Sequence, residues 1–409
     1  MNSFFASCEQ YDDPSLRDRP VGVCPVLAGG GAVIAASYEA KRHGVGMGCR
    51  AAEAARICPG IVLLQARPAR YVELHRAVME SIEKHVPITK AWSIDEWAVR
   101  LRGDERRADG PGGAVALARR VKGQIAADFD GALPCSVGLA PSRLLAKTAC
   151  ELEKPDGLTV LTLDRMPGIL ARMPLGSVPG IGSGMEARLR RADVDTVAKL
   201  WALSRADCRR IWGSVQGESC WMGLHGTDPA EPTTVRRSMG HAHILPPQYR
   251  TVDGAHAIMT RLLCKAAMRL RVHGYVAHLL QAQVSFERSG PGGRVVERWG
   301  DEIALPGVED TPTVLEHFAR LWPFGAAAAG GRLPRKVGVG LGGLTPRGAS
   351  PGNLFPDADR PRHLSTVLDT INQKYGAHTV HPGSMTAVAG YVMDDKIAFG
   401  RIPEEGIGM

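Results

Sequence analysis

Within Ala91-Trp-Ser-Ile-Asp-Glu-Trp-Ala-Val-Arg-Leu101 two adjacent carboxylates, Asp95 and Glu96, interrupt an otherwise apolar run. Burial penalises each charge, and neighbouring like charges repel. Such a pair persists in a folded chain when a lysine, an arginine or a divalent metal joins it. Hard oxygen ligands suit Mg²⁺, which completes its shell with waters and substrate phosphates. The plainer alternative is a hairpin whose turn carries both carboxylates into water. In a regular strand Asp95 and Glu96 point to opposite faces, so both reach one site only if the backbone bends between them.

The surrounding elements alternate. Tyr71 to His85 reads as an amphipathic helix, with Val72, Leu74, His75, Val78, Met79 and Ile82 on its inner face and Pro87 as its stop. Ala114 to Phe129 reads as a helix and Cys135 to Ala140 as a buried strand. Ser142 to Glu153 follows as a helix carrying Lys147, and Leu158 to Leu163 as a strand. Residues 65–165 thus read as a sheet with helices against it. Upstream, Asn2 to Glu9 reads as a strand running into a helix. Val21 to Val26 and Ala32 to Ala36 read as short strands, and Ser37 to Gly44 as a helical turn closed by glycine. Tyr38, Lys41 and Arg42 in that turn either face one phosphate group or form a solvated basic helix end.

Further on, Val178-Pro-Gly-Ile-Gly182 stands between two helical stretches. Gly180 and Gly182 let the backbone approach a phosphate, and the helix that follows offers unpaired N–H groups. Arg188, Arg190 and Arg191 add positive charge, which favours a helix-hairpin-helix contact to a DNA backbone over an ordinary αα turn. Asp228 to Pro232 reads as a linker. Beyond it a βαββαβ order spans about a hundred residues, the split βαβ pattern. Arg236, Arg237, Arg288 and Arg298 in this part line a DNA-facing sheet or are plain solvated charge. A last amphipathic helix carries Leu364, Leu368, Ile371 and Tyr375.

The totals fit this picture. The chain has 409 residues, 44% of them hydrophobic and 22% charged, which makes it globular and of about two to four domains. No stretch approaches the roughly 18 uncharged apolar residues of a membrane span, and no secretory signal is visible, so a cytoplasmic protein is expected. Nine cysteines, none in a C-x-x-C pair, argue against a structural zinc site and for reduced thiols. Fifty Lys and Arg against 42 acidic residues give a net charge of +8, a mild sign of a polyanionic partner. Aromatics are only 5%, so backbone contact fits better than stacking on many bases.

Six motifs occur together and in order: Phe4-Phe-Ala-Ser-x-Glu9, Ser37-Tyr-Glu-Ala-Lys-Arg-x-Gly-Val45, Ser93-Ile-Asp-Glu96, Ser136-Val-Gly-Leu-Ala-Pro-Ser-x-x-Leu-Ala-Lys147, Lys154-Pro-x-Gly157 and Val178-Pro-Gly-Ile-Gly182. Over residues 1–345 the chain resembles a Y-family translesion DNA polymerase of the bacterial DNA polymerase IV and UmuC type. The resemblance implies an α+β multidomain, right-hand fold. Its palm would be residues 1–9 and 65–163, its fingers 10–64, its helical thumb with the helix-hairpin-helix 164–230, and its βαββαβ little finger 236–345, followed by a tail over 346–409. It implies error-prone, template-directed addition of dNTPs to a primer 3′ end on primer-template DNA, with two Mg²⁺ ions, by a monomer.

Carried over residue by residue, Asp95 would be a metal ligand and Glu96 would lie beside it near the primer terminus. Met1 would lend a backbone carbonyl to the metal, and Phe5 would be the steric gate against a ribose 2′-hydroxyl. Tyr38, Lys41 and Lys154 would hold the triphosphate. The family has Arg and then Lys where this chain has Lys41-Arg42, so the planar fork is lost unless Arg42 supplies it. The family's first metal-binding aspartate immediately precedes the position of Met1. Either the start is assigned a strand too late, or the chain is a catalytically silent platform recruiting partners to damaged DNA. The first accords with the presence of Asp95, Glu96, Phe5 and Lys154. Finally, Asn353-Leu-Phe355 resembles the end of a sliding-clamp-binding peptide, with Leu354 and Phe355 as its anchors, and otherwise reads as a linker with one apolar anchor.

Overall fold

The computed structural model describes residues 1–27, 31–107, 113–230, 235–290, 293–349 and 359–391. The turn at 28–30, most of the glycine-rich turn at 108–112, the linker at 231–232 and the clamp-like Leu354 and Phe355 lie outside the described residues. The described chain up to residue 230 belongs to one compact unit, and 235–391 to a second.

The first unit opens with helix α1 (Phe4–Asp12). The strand expected before it is absent, because Ser3 adopts a left-handed conformation (φ 48) and turns the chain straight into the helix. Strand β1 (Val21–Cys24) is buried at all four positions; it pairs antiparallel with β2 (Ala35–Ala36) and parallel with β3 (Val62–Gln65). Helices α2 (Tyr38–Arg42) and α3 (Ala51–Ile57) make the crossover. Helix α4 (Pro68–Glu83) buries Tyr71, Leu74, His75, Val78 and Ile82, spaced by three and four. These residues share one core with Phe4, Phe5 and Cys8 of α1 and with Leu117 and Ile125 of α5 (Ala114–Asp128).

Between α4 and α5 stands an antiparallel hairpin, β4 (Lys90–Ser93) and β5 (Glu96–Ala98), closed by the two-residue turn Ile94-Asp95. Its register slips between Ala91 and Ser93, leaving Trp92 as a bulge. Strand β6 (Val137–Leu139) runs parallel to β7 (Leu158–Val160), with α6 (Arg143–Leu152) as the crossover. The sequence predicts a longer, fully buried strand here. Only three residues pair, and all three are half-buried, because β6 has a single partner strand. Ser142 caps α6, its Oγ accepting from Leu145 N. Four helices follow, α7 (Ser183–Arg191), α8 (Val197–Ala202), α9 (Arg205–Trp212) and α10 (Val215–Leu224). Their Leu189, Val197, Leu200, Ile211 and Leu224 pack with Leu145, Ala149 and Leu161.

The second unit has the expected βαββαβ order. Strands β8 (Ser238–Ile244), β9 (Tyr275–Gly290), β10 (Gly293–Val308) and β11 (Leu333–Gly342) form an antiparallel sheet in the order β10-β9-β11-β8, and the short β12 (Thr345–Pro346) pairs with β9. Helices α11 (Val252–His273) and α12 (Thr311–Ala329) cover one face. Their Ile258, Leu262, Ala266, Leu270, Val314 and Phe318 meet the inward residues Leu280, Ala282, Val284 and Phe286 of β9. Strand β10 stays paired with β9 as far as Val308, with a register shift between Ala304 and Val308, so this hairpin is long. Helix α13 (Arg360–Tyr375) is held by charge: Arg271 Nε lies 2.6 Å from Asp369, and buried Glu309 pairs with Arg347 and Arg362. Residues 383–388 then strap across α11, burying Met385 and Val388. Among the described residues no helix is long and apolar enough to cross a membrane.

Two stability experiments follow from this packing. A Cβ on Gly138 would lie 2.0 Å from the Ala146 carbonyl oxygen of α6. Backbone cannot yield as a side chain can, so Gly138→Ala is expected to cost about 3 kcal/mol, the upper range for overpacking, read as a drop in the urea midpoint. His378 is held at a pKa of about 4 by burial, then by the charges of Arg261 and Lys265. The unfolded chain therefore binds a proton that the native one does not as pH falls from about 6.5 to 4, and stability is lost across that window. His378→Asn, which tolerates the left-handed backbone at this position (φ 66), should flatten the pH slope of the denaturation midpoint there.

Candidate active site

The hairpin turn resolves the conflict posed by the two carboxylates. Ile94, 2% exposed, anchors the turn in the core, while Asp95 and Glu96 are half-buried at its surface. The backbone bends at Ile94-Asp95, so the two carboxylates are not bound by the opposite-face rule of a straight strand. Ser93 Oγ donates to Asp95 Oδ1 at 2.6 Å, and the Met1 ammonium donates to the Asp95 carbonyl at 2.6 Å. The buried imidazole of His75 meets the Ile94 carbonyl at 2.7 Å. Glu96 begins β5, and both its oxygens accept from Lys147 Nζ of α6 at 2.6 Å. That lysine is the positive partner the sequence called for. With 44% and 40% of the two side chains exposed, the pair contributes only about 0–1 kcal/mol, so it can yield to a stronger cation.

The basic residues of α2 divide. Lys41 Nζ sits 4.4 Å over the Tyr38 ring and donates to Ser3 Oγ at 2.8 Å. Burial, then the charge of Lys154, lowers the Lys41 pKa; burial raises that of Tyr38, against the pull of Lys154. Lys154 pairs with Glu151 at 2.6 Å. Burial works against its charge, but Glu151, with smaller help from Tyr38 and Cys150, raises its pKa on balance. Tyr38, Lys41 and Lys154 thus share one electrostatic neighbourhood. Arg42 does not join them: it is 75% exposed and turns toward Glu39 at 3.9 Å, so it supplies no planar fork. The turn bearing Lys154 is tied down next door, where Asn2 Oδ1 accepts from Asp156 N at 2.9 Å and Lys122 Nζ donates to the carbonyls of Cys135 and Asp156.

Phe5 is 4% exposed and stacks on Tyr71, with ring centroids 4.5 Å apart and planes 15° from parallel. The Tyr71 hydroxyl donates to Glu9 Oε1 at 2.6 Å, and Arg67 grips the same carboxylate. Gly180 has φ 89, and Gly182 sits at the N-cap of α7. The first helix of the expected helix-hairpin-helix is reduced to 3₁₀ turns at Leu170–Arg172 and Leu175–Ser177. Arg188 donates to the Trp212 carbonyl at 2.8 Å and so caps the end of α9, and Arg190 pairs with Glu186. An open cleft of about 1600 Å³ is lined by Lys147, Arg165, Arg172, Gly180 and Gly182, which joins the hairpin glycines to the Lys147 end of the carboxylate site. In the second unit, half-buried Arg236 and exposed Arg237 immediately precede β8.

Sequence reasoning gave no role to Lys147, Ser93 or Asn2, and placed His75 only on an apolar helix face. Lys147 had a signal, its place in the Leu-Ala-Lys motif. Its pairing with Glu96 spans 51 residues and has none.

The donor set suits a hard cation. Asp95 and Glu96 offer oxygens only, and the Lys147 ammonium already marks where a positive charge is favoured. Among the described residues no group of three or more His, Cys, Asp or Glu is set to hold a metal, so a cation held by Asp95 and Glu96 would take further ligands from water and phosphate.

The family model described as impB/mucB/samB matches residues 1–151, and the model of that family's C-terminal domain matches 236–354. A DNA polymerase IV of Moorella thermoacetica is 32% identical over 405 residues, 95% of each chain. A DNA polymerase IV of Halorhodospira halophila is 30% identical over 357 residues, 85% of this chain and 94% of that one. Among solved structures, the Y-family DNA polymerase chimera Dbh-Dpo4(243-245)-Dbh aligns with a TM-score of 0.68 at 21% identity, over 84% of this chain and 97% of the other. The insertion ternary complex of Dbh DNA polymerase gives 0.52 at 22%, with the same coverage. At that identity the structures speak for the α+β multidomain fold. Family models over most of the chain and relatives aligned nearly end to end agree: the chain belongs to the impB/mucB/samB family, the Y-family of translesion DNA polymerases.

Proposed function

We propose that this chain adds deoxynucleotides to a primer 3′ end on damaged templates, with Asp95 and Glu96 as its metal-binding carboxylates. The observation that carries the reading is the hairpin turn itself. It brings two hard oxygen donors to one surface and parks a lysine, not an apolar residue, against one of them. Mg²⁺ bound there, two ions in the family arrangement, would neutralise the triphosphate and favour in-line attack by the primer hydroxyl.

The chain's own residues then have separate tasks. Ser93 fixes which way the Asp95 carboxylate faces. Lys147, weakly paired with Glu96, would leave that carboxylate available to a bound cation. Tyr38, Lys41 and Lys154 hold the triphosphate, Lys41 as a point charge where an arginine would be a fork. Phe5, backed by Tyr71, leaves no room for a 2′-hydroxyl. Gly180 and Gly182 offer backbone N–H groups to the DNA backbone, with Arg236 and Arg237 as further cations from the second unit. Arg188, already engaged at the end of α9, serves the hairpin by holding its helices together. The sliding clamp at Leu354 and Phe355 and a monomeric, cytoplasmic protein complete the proposal.

Primer extension with Mg²⁺ tests it. The assay uses this chain beside a version extended at its N-terminus by the family's strand and aspartate. Asp95→Ala is expected to lower extension by about a thousandfold or more, about 4 kcal/mol of transition-state stabilisation. Silence of both parent versions on every primed template would sink the polymerase reading in favour of a DNA-binding platform. In whichever version extends primers, Phe5→Ala should weaken discrimination against ribonucleotides by about tenfold or more, measured as the ratio of kcat/KM values for the two sugars.

A further inference from the structure

We propose that His75 is a positioning residue for Asp95, clasping both limbs of the turn that presents the metal-binding carboxylate. The proposal rests on the reading of Asp95 as a metal ligand.

A two-residue turn leaves backbone groups without ladder partners, and a buried carbonyl without a donor is costly. The Ile94 carbonyl, one residue before Asp95, finds its partner in His75 Nδ1 at 2.7 Å. A carbonyl has no proton to give, so Nδ1 carries the hydrogen and the tautomer is set. The same ring stacks on Trp97, with centroids 5.1 Å apart and planes 20° from parallel. Trp97 lies on the other limb, one residue after Glu96. One side chain therefore bonds to the limb entering the turn and packs on the limb leaving it.

The clasp is anchored. His75 is 1% exposed and sits on α4 between Leu74 and Val78, both in the core. Trp97 Nε1 is buried and finds no hydrogen-bond partner, so stacking on the imidazole, not a polar tie, orients that indole. Burial holds the His75 pKa below its usual range, which keeps the ring neutral at ordinary pH. A histidine that served only to fill the core would need neither the carbonyl contact nor the aligned ring. Ser93 and the Met1 ammonium act on Asp95 itself; His75 acts one step back, through the main chain. Groups that orient a ligand in this way typically govern metal affinity while making no contact with the metal.

The test measures Mn²⁺ binding by electron paramagnetic resonance on the full chain bound to primer-template DNA. Four variants are compared. His75→Phe keeps a ring for Trp97 and loses the donor. His75→Asn places an N–H near the Nδ1 position, and His75→Gln places it near Nε2. Asp95→Asn removes the ligand. His75→Phe is expected to weaken Mn²⁺ binding by about tenfold or more with DNA affinity unchanged, and His75→Asn to restore most of the loss. A folded His75→Phe protein that binds Mn²⁺ like the parent, while Asp95→Asn does not, overturns the proposal and leaves the metal reading standing. If His75→Phe fails to fold, His75→Asn and His75→Gln decide: equal Mn²⁺ affinities overturn the proposal, and weaker binding by the Gln variant upholds it. Mn²⁺ binding unaltered in Asp95→Asn removes the ligand reading itself, and the proposal with it.

Discussion

Everything at the candidate site depends on one two-residue turn. Ile94 and Trp97 must face the core, while Asp95 and Glu96 must reach solvent or a cation, and a straight strand cannot satisfy both. The turn does so by reversing the chain between the hydrophobic and the charged residues. Its position is then fixed from three directions by segments far apart in sequence. The Met1 amine reaches it across 94 residues, His75 of α4 across 19, and Lys147 of α6 grips the adjoining Glu96 across 51. Small displacements of α1, α4 or α6 would move the carboxylates, and the core that unites α1 with α4 is what prevents them. That core also holds Phe4 and Phe5, and so would brace Phe5 in the gate role proposed for it.

Much of this was legible where local chemistry and tertiary structure agree. Helix α6 starts at Ser142, whose hydroxyl caps it; α11 starts at Thr251 and ends at Gly274, a left-handed C-cap. The alternation of Leu280, Ala282, Val284 and Phe286 gave β9 its inner face. The six ordered motifs carried the family. Other elements had no local signal. The far half of β10 is an edge strand with exposed Asp301, Glu302 and Ala304, and only its ladder to β9 makes it a strand. Ser3 in the left-handed region is set by the packing around it, since serine has no special tolerance for that conformation. The division of labour between Lys41 and Arg42 also had to be seen, because adjacent residues on a helix point about 100° apart and the sequence does not say which of the two lies near Lys154.

Net charge was the weakest guide. An excess of basic residues pointed to a polyanionic partner, yet many of the arginines that produce it are engaged within the protein. Arg67 and Arg70 hold Glu9 and Asp12, Arg205 and Arg209 hold Glu218, and Arg271 and Arg347 hold Asp369 and Glu309. Arg188 caps a helix. A guanidinium suits such tasks because its planar fork binds a carboxylate or several carbonyls at once. The positive charge open to a polyanion is therefore a matter of which cations line the cleft, such as Arg165 and Arg172, and not of the total.

With Phe5 as the proposed steric gate, the Tyr71 and Glu9 side chains behind it would join selectivity to stability. A gate that rejects one hydroxyl works only if its ring cannot retreat, since a shift of about an ångström would admit the larger sugar. Phe5 cannot swing back, because Tyr71 is stacked behind it and is itself held by Glu9. Glu9 is a buried carboxylate, tolerable only because Arg67 and the Tyr71 hydroxyl satisfy its oxygens. Removing Arg67 would thus leave an unpaired charge beneath the gate, and the loss would appear both as lower stability and as a softer gate. The ion pair, its Glu9 end buried and its Arg67 end 45% exposed, is better understood as a rigid floor for Phe5 than as a source of net folding energy.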